Sequence, residues 1–195
     1  KSDYEPIGVV EKFSDLDVYV SKPKDKTKPF KNAIIICYDI HGFHPNVKQF
    51  CDLLAEAGFL VVLPDYFHGE TAEAAAKGVQ ELVDYILKNY PNERIEKETL
   101  KVIEYLRSEY GVKNLEVLKD SQYPIAFLPS HDDLDPVNKP FIEKCLQKRF
   151  NDMPHGFAGT RSDFHDELNS KRANEVIEIS VKFFYDNLGV KYYNS

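Results

Sequence analysis

The sequence predicts an α/β sandwich: a mostly parallel sheet with helices on both faces and an antiparallel hairpin at its N-terminus. Three observations carry this. Two continuous apolar runs, at 33–37 and 59–63, have strand length and the two-sided apolarity of strands covered on both faces. A helical pattern with short connections lies between them, which makes a βαβ unit, a parallel pair and a right-handed crossover. Strand and helix patterns then alternate to residue 188.

In chain order, the β-branched runs at 7–10 and 16–20, parted by a polar turn, predict the hairpin. Residues 21–31 carry Lys22, Lys24, Lys26, Lys28 and Lys31 with Pro23 and Pro29, a solvated loop or else a docking patch. Residues 46–58 place Val47, Phe50, Leu53, Leu54 and Ala57 on one helical face, with Gly58 as C-cap. A second helix, 71–90, turns Ala75, Val79, Leu82, Val83, Ile86 and Tyr90 inward and stops at Pro91. A third, 94–110, buries Ile95, Val102, Ile103 and Leu106 and is capped by Gly111. Residues 112–118 give a weak strand signal and 124–128 a stronger one. Residues 141–150 have helical spacing, and 171–188 form a last amphipathic helix with Val176, Ile177, Phe184 and Leu188 inward.

Composition bounds the function. The 195 residues are 43% hydrophobic and 13% aromatic, enough for a real core and too apolar for a disordered chain. That length predicts a single domain, 1–195. A net charge of −7 argues against nucleic acid or anionic lipid as a partner. No apolar run approaches the ~18–20 residues that span a bilayer. Cys37, Cys51 and Cys145 are too few and too scattered for a disulfide framework or a zinc knuckle. With no secretory signal, they point to a reducing compartment, hence a cytoplasmic location. The chain starts at Lys1 and its one methionine is Met153, so a longer translation product is expected.

Ligands of open α/β sheets bind beyond the carboxyl ends of the parallel strands. The loops expected there read Tyr38-Asp39-Ile40-His41-Gly42, then Asp65-Tyr66-Phe67-His68-Gly69, then Ser130-His131-Asp132-Asp133, and near the C-terminus Pro154-His155-Gly156-Phe157. An acid after a late strand and a histidine before the terminal helix follow the chain order nucleophile, acid, histidine. Asp133 then aligns the imidazole and His155 is the general base. Read alone, Asp133 also fits a turn or N-cap aspartate, and His155 a surface loop histidine. The histidines lack metal-ligand spacing, and neither a metal nor an organic cofactor is called for. No Gly-rich phosphate loop follows the first buried run, which disfavours a nucleotide-binding fold.

These residues resemble the dienelactone hydrolases (carboxymethylenebutenolidases), cysteine-nucleophile members of the α/β-hydrolase fold. The resemblance rests on residues 36–42, on 46–69 with its Pro-Asp-aromatic-Gly loop, and on the Asp133 and His155-Gly156-Phe157 loops. It implies an α/β-hydrolase domain that hydrolyses a small-molecule ester or lactone through a Cys(Ser)-His-Asp triad. It also implies an oxyanion contact from the backbone N–H of Ile40, and Asp39 as a partner of the resting nucleophile.

One part of the family pattern is absent. No G-x-C-x-G-G or G-x-S-x-G elbow occurs, and its expected place lies between Leu115 and Glu116. A shorter gap is expected near 150–151. Loss of the elbow strand would leave buried backbone groups unpaired at ~1–3 kcal/mol each. A dozen such groups exceed the ~5–15 kcal/mol stability of a domain. That arithmetic favours a segment missing from these 195 residues over a true deletion. The alternative is a catalytically inactive hydrolase fold, a binding or structural subunit of a larger assembly with protein partners. Within the chain, Cys37, Cys51 and Cys145 all read as packing residues.

Overall fold

The computed structural model describes residues 3–24, 30, 32–71, 78–112, 126–128, 130–131 and 146–188. Two compact units divide the chain, residues 1–115 and 116–195.

The first unit is built on a four-stranded mixed sheet. Strands β1 (Val9–Phe13) and β2 (Leu16–Ser21) form the hairpin, closed at Phe13–Leu16 around Ser14, whose φ is 62°. Strands β3 (Ala33–Ile35) and β4 (Leu60–Pro64) are parallel, and the sheet order is β1-β2-β4-β3. All five residues of β4 are buried, the signature of a strand covered on both faces. Side chains alternate along a strand, so each face has its own layer. Val18, Val20, Leu60 and Val62 pack with Val102 and Leu106 of α3 (Asn92–Tyr110). The opposite face carries Tyr19, Ser21, Val61 and Leu63 and meets α1 (Pro45–Glu56). Helix α1 starts where His44 Nδ1 accepts from Asn46 N at 3.2 Å, with Pro45 in the first turn.

A buried carboxylate ties this layer together. Asp52 of α1 is 1% exposed and accepts from Tyr19 Oη at 2.7 Å, Ser21 Oγ at 2.6 Å, Tyr4 Oη at 2.8 Å and Ile7 N at 3.1 Å. Tyr19 Oη in turn accepts from Gly8 N at 2.7 Å.

Several expectations shift. The hairpin's first strand begins at Val9, not Ile7, because Ile7 N is spent on Asp52. Ser21, expected in a solvated loop, ends β2 with its hydroxyl on Asp52. Helix α2 is described over Val79–Asn89, and Val83, expected inward, is 41% exposed.

In the second unit, β5 (Ala126–Phe127) pairs in parallel with β6 (Leu146–Gln147), and a further parallel bridge joins Ser130 to Phe150. Residues 146–150 therefore do not continue a helix. Their helical spacing yields to pairing with β5, and the Phe150 ring packs 5.1 Å from Phe157. Helix α4 (Glu167–Leu188) buries Ala173, Val176, Ile177 and Val181. No helix among the described residues is long and apolar enough to cross a membrane.

Candidate functional site

Strands β3 and β4 are parallel, so the loops that leave them emerge on one rim of the first unit. Several bonds stitch the two loops together. Tyr38 Oη donates to Asp65 Oδ1 at 2.9 Å and accepts from Phe67 N at 2.6 Å. Asp65, 5% exposed, accepts from Gly69 N at 2.7 Å through its other oxygen. Burial and the Asp65 charge hold the Tyr38 hydroxyl protonated far above the usual phenol range.

Ile40 rests on this assembly. It packs with Tyr66, Phe67 and Tyr90, alongside Tyr38, Leu82 and Ile86. Its backbone is thereby held by an apolar floor that α2 and the second loop supply. Asp39, which is exposed, turns its carboxylate onto His41 N at 2.9 Å and closes the tight turn around Ile40. Gly42 follows with φ +67°, and a Cβ there would lie 3.1 Å from the backbone oxygen of Glu70. Both the dihedral and the close approach call for glycine.

The second loop brings in residues that sequence reasoning left without a role. His68 has φ +52°, and its Nε2 lies 3.0 Å from Glu98 Oε1. Glu98 is buried on α3 and also accepts from Arg94 Nε at 3.2 Å. Its second oxygen, Oε2, is buried with no hydrogen-bond partner among the described residues. Glu70 accepts from Tyr90 Oη at 2.7 Å and Tyr85 Oη at 3.1 Å, and these two hydroxyls hold its carboxyl below the usual range. A histidine two positions beyond the Pro-Asp-aromatic stretch was the one available signal for this pair. Glu98, inside a charged helix, gave none.

The described cysteines differ from expectation in one case. Strand β3 ends at Ile35, and Cys37 is exposed rather than packed inside a strand. Crowding around its sulfur pushes the thiol pKa up, and a hydrogen bond with Tyr66 pulls it back only in part. Cys51 is fully buried, and burial followed by the Asp52 charge raises its thiol well above the usual range. Neither has the lowered pKa of a nucleophilic thiol. Cys145 lies outside the described residues.

In the second unit, the loop after β5 is anchored to the loop after β6. His131 donates from both its backbone N, at 3.1 Å, and its ring Nδ1, at 2.7 Å, to the carbonyl of Met153. Arg149 Nη1 reaches the Ser130 carbonyl at 2.5 Å. His155 follows two residues after Met153 and is exposed. Gly156 beyond it has φ +82°, and Phe157 is buried at 3% exposure, anchoring the loop. Asp133 lies outside the described residues, two positions after His131. Among the described residues, no group of three His, Cys, Asp or Glu side chains is placed to hold a metal.

Residues 16–118 match the model of the dienelactone hydrolase family. The hydrolase pyvD of Aspergillus violaceofuscus is 38% identical over 85 residues, 43% of this chain and 34% of its own length. A carboxymethylenebutenolidase homolog of Xenopus tropicalis is 29% identical over 119 residues, 60% of this chain and 47% of its own length. The chain thus spans less than half the length of these relatives. Among solved structures, a candidate dienelactone hydrolase from Klebsiella pneumoniae superposes with a TM-score of 0.61 at 13% identity, over 86% of this chain and 92% of that one. A thermophilic esterase from Thermogutta terrifontis, with propionate bound, gives 0.56 at 14% identity, over 97% of both chains. At such identities the likeness is one of fold, the α/β-hydrolase fold.

Proposed function

Because the chain belongs to the dienelactone hydrolase family, we propose that the protein is a hydrolase that opens an ester or lactone through an acyl-enzyme. The nucleophile is a cysteine or serine on a strand–turn–helix elbow that lies between Leu115 and Glu116 and outside these 195 residues. It attacks the carbonyl carbon, and the N–H of Ile40 and that of the residue after the nucleophile hold the oxyanion. His155 takes the nucleophile's proton and returns it to the leaving alcohol. In the second half it takes a proton from water, which releases the acid and restores the nucleophile. Asp133 aligns the His155 ring, and Asp39 shapes the Ile40 turn and partners the resting nucleophile. The substrate is a small molecule.

The observation that carries this reading is the double anchoring of His131 on Met153. It ties the start of the acid loop to the histidine loop, two residues short of His155. The elbow has its own support. Among the described residues, strand β3 is the last of its sheet and β5–β6 is a two-stranded parallel pair, an arrangement that seldom stands alone.

The test is turnover of p-nitrophenyl esters by the whole encoded polypeptide and its His155→Ala variant. A loss of 10²–10⁴-fold, the usual range for a general base, is expected at about neutral pH. Unchanged turnover in the variant disposes of the triad. No turnover in either protein leaves the non-catalytic subunit as the better reading.

A further inference from the structure

The loop that carries His155 is fastened on both sides of that residue. Met153, two positions before it, has its carbonyl on His131. Phe157, two positions after it, is buried beside Phe150. A further hold comes from α4, and the proposed mechanism does not use it. Arg172 Nε and Nη2 both donate to Asp152 Oδ2, at 2.8 and 2.7 Å, three residues before His155. The same guanidinium turns Nη1 to Glu175 Oε2 at 2.7 Å. Lys148, next after β6, bonds the other oxygen of Glu175.

This network suits orientation more than stability. Arg172 and Glu175 stand three apart, on one face of α4. That helix is itself fixed, since it buries Ala173, Val176, Ile177 and Val181. A guanidinium is a planar fork whose donors have set directions, so it fixes the Asp152 carboxylate in direction as well as in place. Yet the four side chains are 25–42% exposed, and ion pairs so open to water contribute little to folding. What the network supplies is the course of the backbone from Asp152 toward His155. Pro154 stiffens that path, because its ring fixes φ immediately before His155. Its carbonyl accepts from Phe157 N at 3.3 Å, which closes the turn on the far side.

We propose that Arg172 is a positioning residue for the hydrolytic reaction: by holding Asp152 against α4, it sets where the His155 imidazole stands. It acts through the histidine loop and not on the substrate. The inference rests on the hydrolase reading above, in which His155 moves the proton. Proton transfer by a positioned base is steeply sensitive to place, and a displacement of about 1 Å lowers a rate by ~10²-fold.

The experiment measures p-nitrophenyl acetate turnover and thermal melting for the whole encoded polypeptide, for Arg172→Ala, for Asp152→Asn and for the double variant. Each single change is expected to lower kcat by ~10–100-fold at unchanged KM. The melting temperature should fall by no more than ~4 °C, as for other exposed ion pairs. Both changes cut the same link, so the double variant should lose no more than the worse single one. A kcat unchanged in both single variants overturns the assignment. So does a raised KM in place of the lowered kcat, a sum of the two losses in the double variant, or a larger fall in melting temperature, which marks a folding role. In each of these cases turnover by the parent leaves the hydrolase reading standing. If Arg172→Ala fails to fold, Asp152→Asn decides alone, since that side chain is 39% exposed. Absence of turnover in the parent overturns the hydrolase reading, and this one with it.

Discussion

Replacing Asp52 with alanine tests whether the layer between α1 and the sheet depends on one carboxylate. Four donors converge on it, two from well-buried residues: Tyr19 is 2% exposed and Ser21 1%. Truncation leaves both hydroxyls without their acceptor, and each orphaned buried group costs ~1–3 kcal/mol. Tyr4 and Ile7 are more accessible and recruit water, so together they add about 1 kcal/mol. Relief from burying a carboxylate offsets part of this. The balance is a loss of about 3–5 kcal/mol, a large fraction of the ~5–15 kcal/mol stability of a typical domain. Urea denaturation followed by far-ultraviolet dichroism reads it as a lower midpoint at unchanged slope. Asp52→Asn keeps one acceptor and should lose about half as much. Tyr19→Phe should lose ~1–2 kcal/mol, since Gly8 N then also lacks its acceptor. A loss under ~1 kcal/mol for Asp52→Ala would refute the reasoning, because it would mean that water or rotated hydroxyls replace the carboxylate at almost no cost.

Three further outcomes follow from the same geometry. Gly8→Ala places a Cβ 2.6 Å from the Tyr19 ring and from the Val20 carbonyl, so the N-terminal segment must lift away. Thermal melting should show ~1–3 kcal/mol lost, as for other overpacked sites. Gly42→Ala puts an L-residue at φ +67° against Glu70, and should cost ~1–2 kcal/mol. Ester kcat should fall with it, since the Ile40 turn moves. Burial first, and then its bond to Glu11, push the Tyr110 phenol up to about 12 from its ordinary 10.0. A raised folded pKa favours the protonated form, so this stabilisation is complete below pH 10.0 and is lost as pH rises through about 12. Tyr110→Phe should flatten the alkaline limb of stability against pH, and an unchanged limb would contradict the assignment.

What was legible in the sequence was what one signal dominated. The run at 59–63 is apolar on both faces, and β4 is buried throughout. Residues 46–58 have an apolar stripe and a terminal glycine, and α1 follows them within two residues at its C-terminal end. The misreadings arise where a tertiary contact competes with a local pattern. Residues 141–150 have helical spacing, yet Leu146 and Gln147 pair with β5. Ile7 has the β-branched look of a strand, but its amide goes to Asp52. Val83 fits the helical stripe of α2 and still faces solvent.

The site divides in the same way. The turn around Ile40 and the histidine loop were marked by their glycines, and both Gly42 and Gly156 adopt positive φ. Asp52 and Glu98 left no trace, because an acid within a helix reads as a solvated face until its partners, 30 or so positions away, are known. Cys37 reads as a core residue because the apolar run continues to it, whereas the strand ends two residues earlier and the residue is exposed.

The central claim is that carbonyl chemistry runs through a nucleophile seated between Leu115 and Glu116. Peptide mapping of the whole encoded polypeptide, after labelling with an ester-mimicking electrophile such as a fluorophosphonate, tests it most directly. The account predicts one adduct, on a cysteine or serine flanked by glycines, in a peptide that joins Leu115 to Glu116 through additional residues. A peptide running directly from Leu115 to Glu116, with no adduct or with the label on Cys37, would contradict it.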